Sequence, residues 1–334
     1  MAEGNPMSFL NVNKPEITLP EGTDPYDDQV YTRGRENLMS FIEQGYLEHD
    51  TEERMYIYQQ QMGNHSQFGL MGVASIEDYE DNRIKKHEFT LPKKELDRTK
   101  LTNVQSANVG PTFLTFRENQ DAIKERIAAI VAATQPYGDV TCDDGVRHVV
   151  WKVSVEDSAW FVEQFAGISS LYIADGHHRA AAAFNVGKMR REAAQAAGTY
   201  TGEEPFNFFM TLLYPADNLL ILDYNRVIKS LNDLSPEAFL EALGDNFTVT
   251  QLEEGESSKV PQRHSYSLFM GGKWYRMVVK EDKVDQSTPV TRLDSSIITE
   301  FVLKAILNIQ DIKNDPRIDF VGGIRGHAEL ERRC

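Results

Sequence analysis

The chain has 334 residues, enough for two domains, and its 41% hydrophobic and 10% aromatic content is typical of a globular protein. With 35 Lys and Arg against 51 Asp and Glu, its formal charge of −16 disfavours a nucleic-acid partner, because it repels phosphates. No apolar run approaches the roughly 20 residues of a membrane span, and no signal peptide is visible. The 2 cysteines are too few for a disulfide framework. We expect a soluble, cytoplasmic protein, and the composition specifies no oligomeric state.

The predicted elements mix helices and strands along the first two thirds of the chain. Asp28–Gln44 has helical periodicity, whereas Met55–Gln60 and Phe68–Ile76 predict a hairpin around Gly63-Asn64. Residues 84–108 are mixed and highly charged. The later predicted elements are a strand at Phe113–Phe116, a helix at Gln120–Thr134, a strand at His148–Val153, a helix at Ala159–Phe165, and paired strands at Phe208–Leu213 and Leu219–Leu222.

The last third of the chain has a different pattern of predicted elements. The pattern predicts a helix over Pro236–Leu243, a hairpin of Tyr266–Met270 and Trp274–Val279, and a helix over Ser295–Leu307. Helices and strands do not alternate strictly, so the fold class is α+β rather than a doubly wound sheet. We therefore predict two regions, residues 1–230 and residues 231–334, which could also pack as one unit.

The strongest candidate site is the turn Asp175-Gly176-His177-His178-Arg179. A short apolar run from Leu171 predicts a strand before it, and an alanine-rich run that stops at Gly198 predicts a helix after it. A glycine that leads into a helix N-terminus favours anion binding, because unpaired N–H groups and the helix dipole point at the ligand. Arg179 adds a guanidinium that matches phosphate oxygens. In the alternative interpretation, Asp175 caps the helix and Arg179 pairs with a carboxylate.

Two further clusters carry charge. Ile84–Arg98 includes His87 and Glu88, and a charge run of this kind is usually a solvated helix or loop face. Arg317–Gly326 has three glycines and two arginines, which could bind an anion, although a tight turn after a strand explains the spacing as well. Neither cluster matches a zincin, Walker or Rossmann pattern.

Together the three segments resemble the family of proteins of unknown function numbered 1015. The resemblance rests on Lys85-Lys86-His87-Glu88 with Pro92-Lys93 and Asp97-Arg98, on Ile173–Arg179, and on Arg317–Gly326, and it covers nearly the whole chain. It implies a ParB-like and sulfiredoxin-like core with an added C-terminal α+β region. It also implies that the sequence is truncated at both ends, because family members extend further.

The resemblance also implies the residues of the site. In that superfamily, which includes free-serine kinases, a turn of this type holds nucleotide phosphates, and Gly176, His177, His178 and Arg179 occupy the matching positions. Asp175 would lie where a carboxylate meets Mg²⁺ or phosphate. No residue can be matched to the glutamate that is the proposed base of the serine kinases.

The first functional hypothesis is phosphoryl transfer from ATP, ADP or pyrophosphate, with Mg²⁺, to a small hydroxylated metabolite, most directly L-serine. In this hypothesis Glu88 is the candidate base beside His87, and His177 contacts the transferring oxygens. The candidates for substrate binding are His87, Lys93, Arg98 and Arg325.

The alternative function is a nucleotide-binding ParB-like switch without kinase activity. A sulfiredoxin-like reductase needs a cysteine in the turn, and position 177 is histidine.

Overall fold

The computed structural model describes residues 2, 4–88, 90–253, 255–260, 262–312 and 314–334. It divides the chain into two compact units, Met1–Leu220 and Ile221–Cys334, each with its own hydrophobic core. The division into residues 1–230 and residues 231–334 stays a prediction. The chain is mixed α+β, as the sequence predicts. No helix among the described residues combines the length and apolarity needed to cross a membrane.

The first unit is built on an eight-stranded sheet. Its strands are Tyr56–Met62 (β1), His65–Ser75 (β2), Ile84–Lys85 (β3), Thr112–Phe116 (β4), Gly138–Thr141 (β5), Arg147–Lys152 (β6), Leu171–Asp175 (β7) and Phe208–Pro215 (β8). They lie in the order β3-β7-β4-β8-β2-β1-β6-β5. The pairs β3–β7 and β4–β8 are parallel, and the other neighbouring pairs are antiparallel.

Several helices of the first unit begin at recognisable N-terminal signals. The helices of this unit are Leu10–Asn13 (α1), Asp28–Glu43 (α2), Ile76–Glu80 (α3), Pro92–Gln105 (α4), Gln120–Ala133 (α5), Val155–Ala166 (α6) and His177–Ala196 (α7). The side chains of Asp27, Ser75 and Ser154 accept hydrogen bonds from first-turn N–H groups of α2, α3 and α6. Proline at the first position of α4 fixes φ where no N–H is needed.

The core of the first unit lies on one face of the sheet. Alternate strand residues such as Ile57, Leu70 and Leu114 are fully buried there. Helices α5 and α6 contribute Ile123 and Phe161 to the same cluster. Ala180, Ala181 and Ala183 of α7 belong to it as well, and their small side chains allow the backbone of α7 to pack close to its neighbours.

The second unit holds two small sheets. Its strands are Tyr224–Ile228 (β9), Phe247–Gln251 (β10), Ser265–Met270 (β11), Lys273–Val279 (β12) and Ile318–Gly322 (β13), and its helices are Pro236–Leu243 (α8), Asp294–Ile298 (α9) and Gly326–Arg333 (α10). The sheet orders are β10-β12-β11 and β13-β9. A π-helical segment, Thr299–Lys304, continues α9. Helices α8 and α9 pack on the three-stranded sheet through residues that include Phe239, Phe247 and Ile297.

One local prediction was wrong, and another was confirmed only in part. Residues 219–222 form no strand; β8 pairs with β2 and β4, and the next strand, β9, belongs to the second unit. Ile221 is 92% exposed, so this apolar run is not a buried strand of the first unit. The predicted helix over 295–307 is divided into α9 and the π-helical segment.

Candidate functional site

The β7–α7 turn requires glycine at position 176. Gly176 has φ of 90°, and a Cβ at this position would lie 3.3 Å from the Cα of Thr112. Its carbonyl accepts hydrogen bonds from the N–H groups of Arg179 and Ala180. Helix α7, 20 residues long, therefore begins directly after the glycine, with its positive dipole end at the turn. The turn has the backbone that an anion site needs.

Two opposite charges flank this helix end. Asp175 is exposed at the end of β7, and the N-cap of α7 is Gly176, without a capping side-chain hydrogen bond. The Arg179 guanidinium is also exposed and donates to the carbonyl of Pro111 at 2.9 Å. Within the described parts of the chain, neither Asp175 nor Arg179 forms an ion pair. The structural alternatives of helix capping and carboxylate pairing are therefore not observed.

His177 is the buried member of the turn. Its side chain is 5% exposed, and its Nδ1 lies 3.7 Å from Glu88 Oε2. The ring meets that of His87 edge to face, with centroids 4.4 Å apart. Among the described residues, the buried Nε2 has no hydrogen-bond partner. Burial, and secondly the charge of neighbouring His87, lower the pKa of His177 below its ordinary value, so the ring is neutral at neutral pH.

We expect His177 to make the protein less stable in acid. Because its folded-state pKa is lowered, the unfolded chain binds this proton first as the pH falls through the ordinary value of 6.5. The free energy of unfolding should then fall by up to about 1.4 kcal/mol per pH unit until the folded-state pKa is reached. Urea denaturation between about pH 8 and about pH 5 should show this component in the native chain and not in His177→Gln. Equal pH dependence of the two chains would contradict it.

Other residues predicted for the site have partners within the first unit. His178 Nε2 accepts the N–H of Leu91 at 3.1 Å. The Lys93 ammonium lies 4.1 Å from the centre of the Tyr26 ring. These contacts are structural, and any role of the two side chains toward a substrate stays a prediction.

Arg98 forms an ion pair with its neighbour Asp97, at 2.9 Å. Asp97 also accepts a hydrogen bond from the Tyr31 hydroxyl. Burial and Asp97 raise the pKa of that hydroxyl. Arg98 thus lies in a polar contact between α2 and α4, and its binding of substrate also stays a prediction.

Arg325 lies in the second unit. It ends a 3₁₀ turn, Gly323–Arg325, that follows strand β13, as the turn-after-strand interpretation of this segment predicts. Its side chain is exposed, with Nη1 3.7 Å from Glu329. Position 323 requires glycine because the backbone there lies close to that of Asp223, and a Cβ would be 2.6 Å from the carbonyl oxygen of Asp223.

Sequence reasoning missed the loop that packs against the turn. Pro111 and Thr112 lead into β4, which is antiparallel to β7, and they contact Arg179 and Gly176. Gly110 lies under the guanidinium, where a Cβ would be 3.3 Å from Arg179 Cζ. The Gly-Pro dipeptide before a predicted strand was the available signal.

The described residues contain no group of three or more His, Cys, Asp or Glu side chains arranged to hold a metal ion. Mg²⁺ is commonly held by one or two carboxylates together with substrate phosphates and water. The Asp175 carboxylate, which forms no ion pair with any described residue and lies next to the N-terminus of α7, fits that second arrangement. A zinc-type site, which needs several protein ligands, does not fit.

These features define an α+β protein with a glycine turn between a strand and the N-terminus of a long helix. The chain belongs to the family described as Protein of unknown function (DUF1015), whose model matches residues 1–296. The match includes the turn, the His87–Glu88 segment and α7. No curated protein and no solved structure was found to match the chain.

Proposed function

We propose that this protein transfers a phosphoryl group from ATP, ADP or pyrophosphate to the hydroxyl of a small metabolite, with L-serine as the first acceptor to test. The observation that carries the proposal is the meeting of Glu88 and His177 at the N-terminus of α7. Glu88 comes from a distant part of the sequence, and its approach to His177 brings a carboxylate and a neutral imidazole to the turn that we assign to the donor phosphates. The ParB-like and sulfiredoxin-like character of the first unit is part of the same proposal and rests on the sequence resemblance.

The donor phosphates bind at the turn in this proposal. The N–H groups at the start of α7 and the Arg179 guanidinium supply hydrogen bonds and positive charge to phosphate oxygens. Asp175 is the residue that would hold Mg²⁺, which when bound neutralises phosphate charge. His178 Nε2 already accepts the Leu91 N–H, so we do not assign His178 to the phosphates.

Glu88 acts on the acceptor. Its side chain is 54% exposed, so a substrate hydroxyl can reach it, whereas His177 behind it is buried. In the transfer, the acceptor oxygen forms a bond to phosphorus, the bond from phosphorus to the bridging oxygen of the donor breaks, and the hydroxyl proton passes to Glu88. Because His177 is neutral, it does not form a full ion pair with the Glu88 carboxylate. The carboxylate is therefore able to accept the hydroxyl proton.

Phosphorus NMR tests the proposal. The purified chain is incubated with Mg²⁺, L-serine and, in turn, ATP, ADP and pyrophosphate, and donor binding is measured in parallel by calorimetry. A phosphomonoester signal that requires both serine and protein supports the proposal and identifies the donor. Donor binding without product with serine or other small hydroxylated acceptors would support the nucleotide-binding switch. Absence of donor binding would overturn the assignment of the turn.

Arg179→Ala should weaken donor binding by about tenfold to a hundredfold, as expected for loss of charge-assisted hydrogen bonds. Arg179→Lys should recover only part of this loss, because an ammonium lacks the planar fork of the guanidinium. Calorimetric titration measures both effects. The matched control is Arg147→Ala, which removes a surface ion pair with Asp139 at the opposite edge of the sheet. An equal loss of affinity in the control would contradict a specific role for Arg179.

A further inference from the structure

We infer that His178 is a positioning residue that holds the N-terminus of α4 against α7 and thereby places Glu88 beside His177. Its Nε2 accepts the N–H of Leu91, the residue that precedes α4. An Nε2 that accepts a hydrogen bond carries no proton, so the proton of the neutral ring is on Nδ1. The catalytic consequence rests on the proposed function, whereas the contact itself does not.

The contact is one of a series between the two helices. Asn185 lies seven residues after His178, two turns along the same face of α7, and its amide donates to Glu95 Oε1 at 2.8 Å. Glu95 also accepts the hydroxyl hydrogen bond of Thr90, just before α4. Further along α7, the Arg190 guanidinium donates to the Asn103 carbonyl at 2.8 Å. Polar contacts of α7 therefore fix α4 at both ends.

Glu88 depends on this arrangement for its position. The 3.7 Å between its carboxylate and His177 Nδ1 is longer than a hydrogen bond, and the side chain is half exposed. Such a weak contact does not hold a flexible side chain by itself. The backbone before Glu88 is fixed by the pairing of β3 with β7, and the backbone after it by the contact of Leu91 with His178. Glu88 lies only three residues before Leu91, so loss of that contact releases one end of the segment.

The test compares His178→Leu with His178→Gln. Leucine cannot accept the Leu91 N–H, whereas the glutamine side-chain oxygen lies at a similar reach to Nε2 and can accept it. We expect faster amide hydrogen exchange at Leu91 and in the first turn of α4 in His178→Leu, and near-native exchange in His178→Gln. The exposed His49→Leu is the matched control and should leave this exchange unchanged. Circular dichroism spectra first establish that each variant is folded.

Kinetics supply the second readout. With the donor found by phosphorus NMR, His178→Leu should lower kcat about tenfold or more with KM for the donor within about twofold, and His178→Gln should restore kcat. A rise in KM for the donor with unchanged exchange would overturn the inference and make His178 an anion ligand. Unchanged exchange in His178→Leu would also overturn it. Amide exchange is measured without ligand and does not depend on activity. If the native chain transfers no phosphoryl group, that result counts against the proposed function, and the exchange result alone decides whether His178 is a positioning residue.

Discussion

Replacing Glu88 by glutamine is expected to lower kcat for phosphoryl transfer by about a hundredfold to ten-thousandfold. Glutamine has the same shape but cannot accept the hydroxyl proton. Donor binding should stay within about twofold of the native value, because the proposed mechanism assigns the phosphates to the turn and not to Glu88. The measurement is single-turnover formation of the phosphomonoester, followed by phosphorus NMR or by a radiolabelled donor.

The matched control for this change is Glu163→Gln. Glu163 is exposed on α6, and its replacement changes the net charge by the same amount. If both variants lost activity equally, the effect would come from net charge. If Glu88→Gln kept full activity, Glu88 would not be the base, and the proposed mechanism would lose the residue that receives the proton.

Gly187→Ala is expected to destabilise the first unit by about 1–3 kcal/mol, as overpacking of a close contact does. Gly187 lies inside α7, where alanine ordinarily adds about 0.5–1 kcal/mol of stability, so the expected sign is opposite to helix propensity. A Cβ at this position would lie 2.5 Å from the carbonyl oxygen of Phe206 and 2.5 Å from Ile76 Cδ1. The carbonyl is backbone and cannot rotate away as a side chain can. Urea denaturation measures the change in the free energy of unfolding.

The control for the glycine variant is Gly167→Ala, at the end of α6. Gly167 has a φ of −79°, and a Cβ there would make only an ordinary contact, 3.5 Å from the carbonyl oxygen of Gln164. We expect the free energy of unfolding of Gly167→Ala to stay within about 0.5 kcal/mol of the native value. A stabilised Gly187→Ala would mean that α7 is free to shift away from Phe206.

Local patterns in the sequence predict much of this fold. The hairpin around Gly63-Asn64 is β1 and β2, in register from Tyr56 with Met71 to Met62 with His65, because alternating residues and a glycine turn specify a hairpin locally. The strand, the glycine turn and the helix at Gly176 are predicted for the same reason, since each part depends on nearby residues. Helix α4 is harder to predict. Its charged residues carry little amphipathic pattern, and it buries only Leu101 and Gln105.

The composition of the candidate site is only partly predictable. Sequence points to Asp175–Arg179 as a unit, but the approach of Glu88 to His177 depends on the parallel pairing of β3 with β7. The partner of His178 is a backbone N–H, at Leu91, which has no signature in side-chain chemistry. Contacts that depend on backbone groups or on sheet order need the tertiary structure.

The parallel strand pairs of the first unit also bear on how the chain folds. Ile84 pairs with Leu171, and Thr112 pairs with Thr211, so each pair closes a long loop before it adds any contacts of its own. A high average sequence separation between contacting residues slows folding, to about milliseconds or longer in small domains rich in such pairings. During synthesis, β3 and α4 leave the ribosome well before β7 and α7. The apolar surfaces of β3 and α4 therefore stay exposed until β7 and α7 have been synthesised. The approach of Glu88 to His177 therefore forms only in molecules that have completed the pairing of β3 with β7.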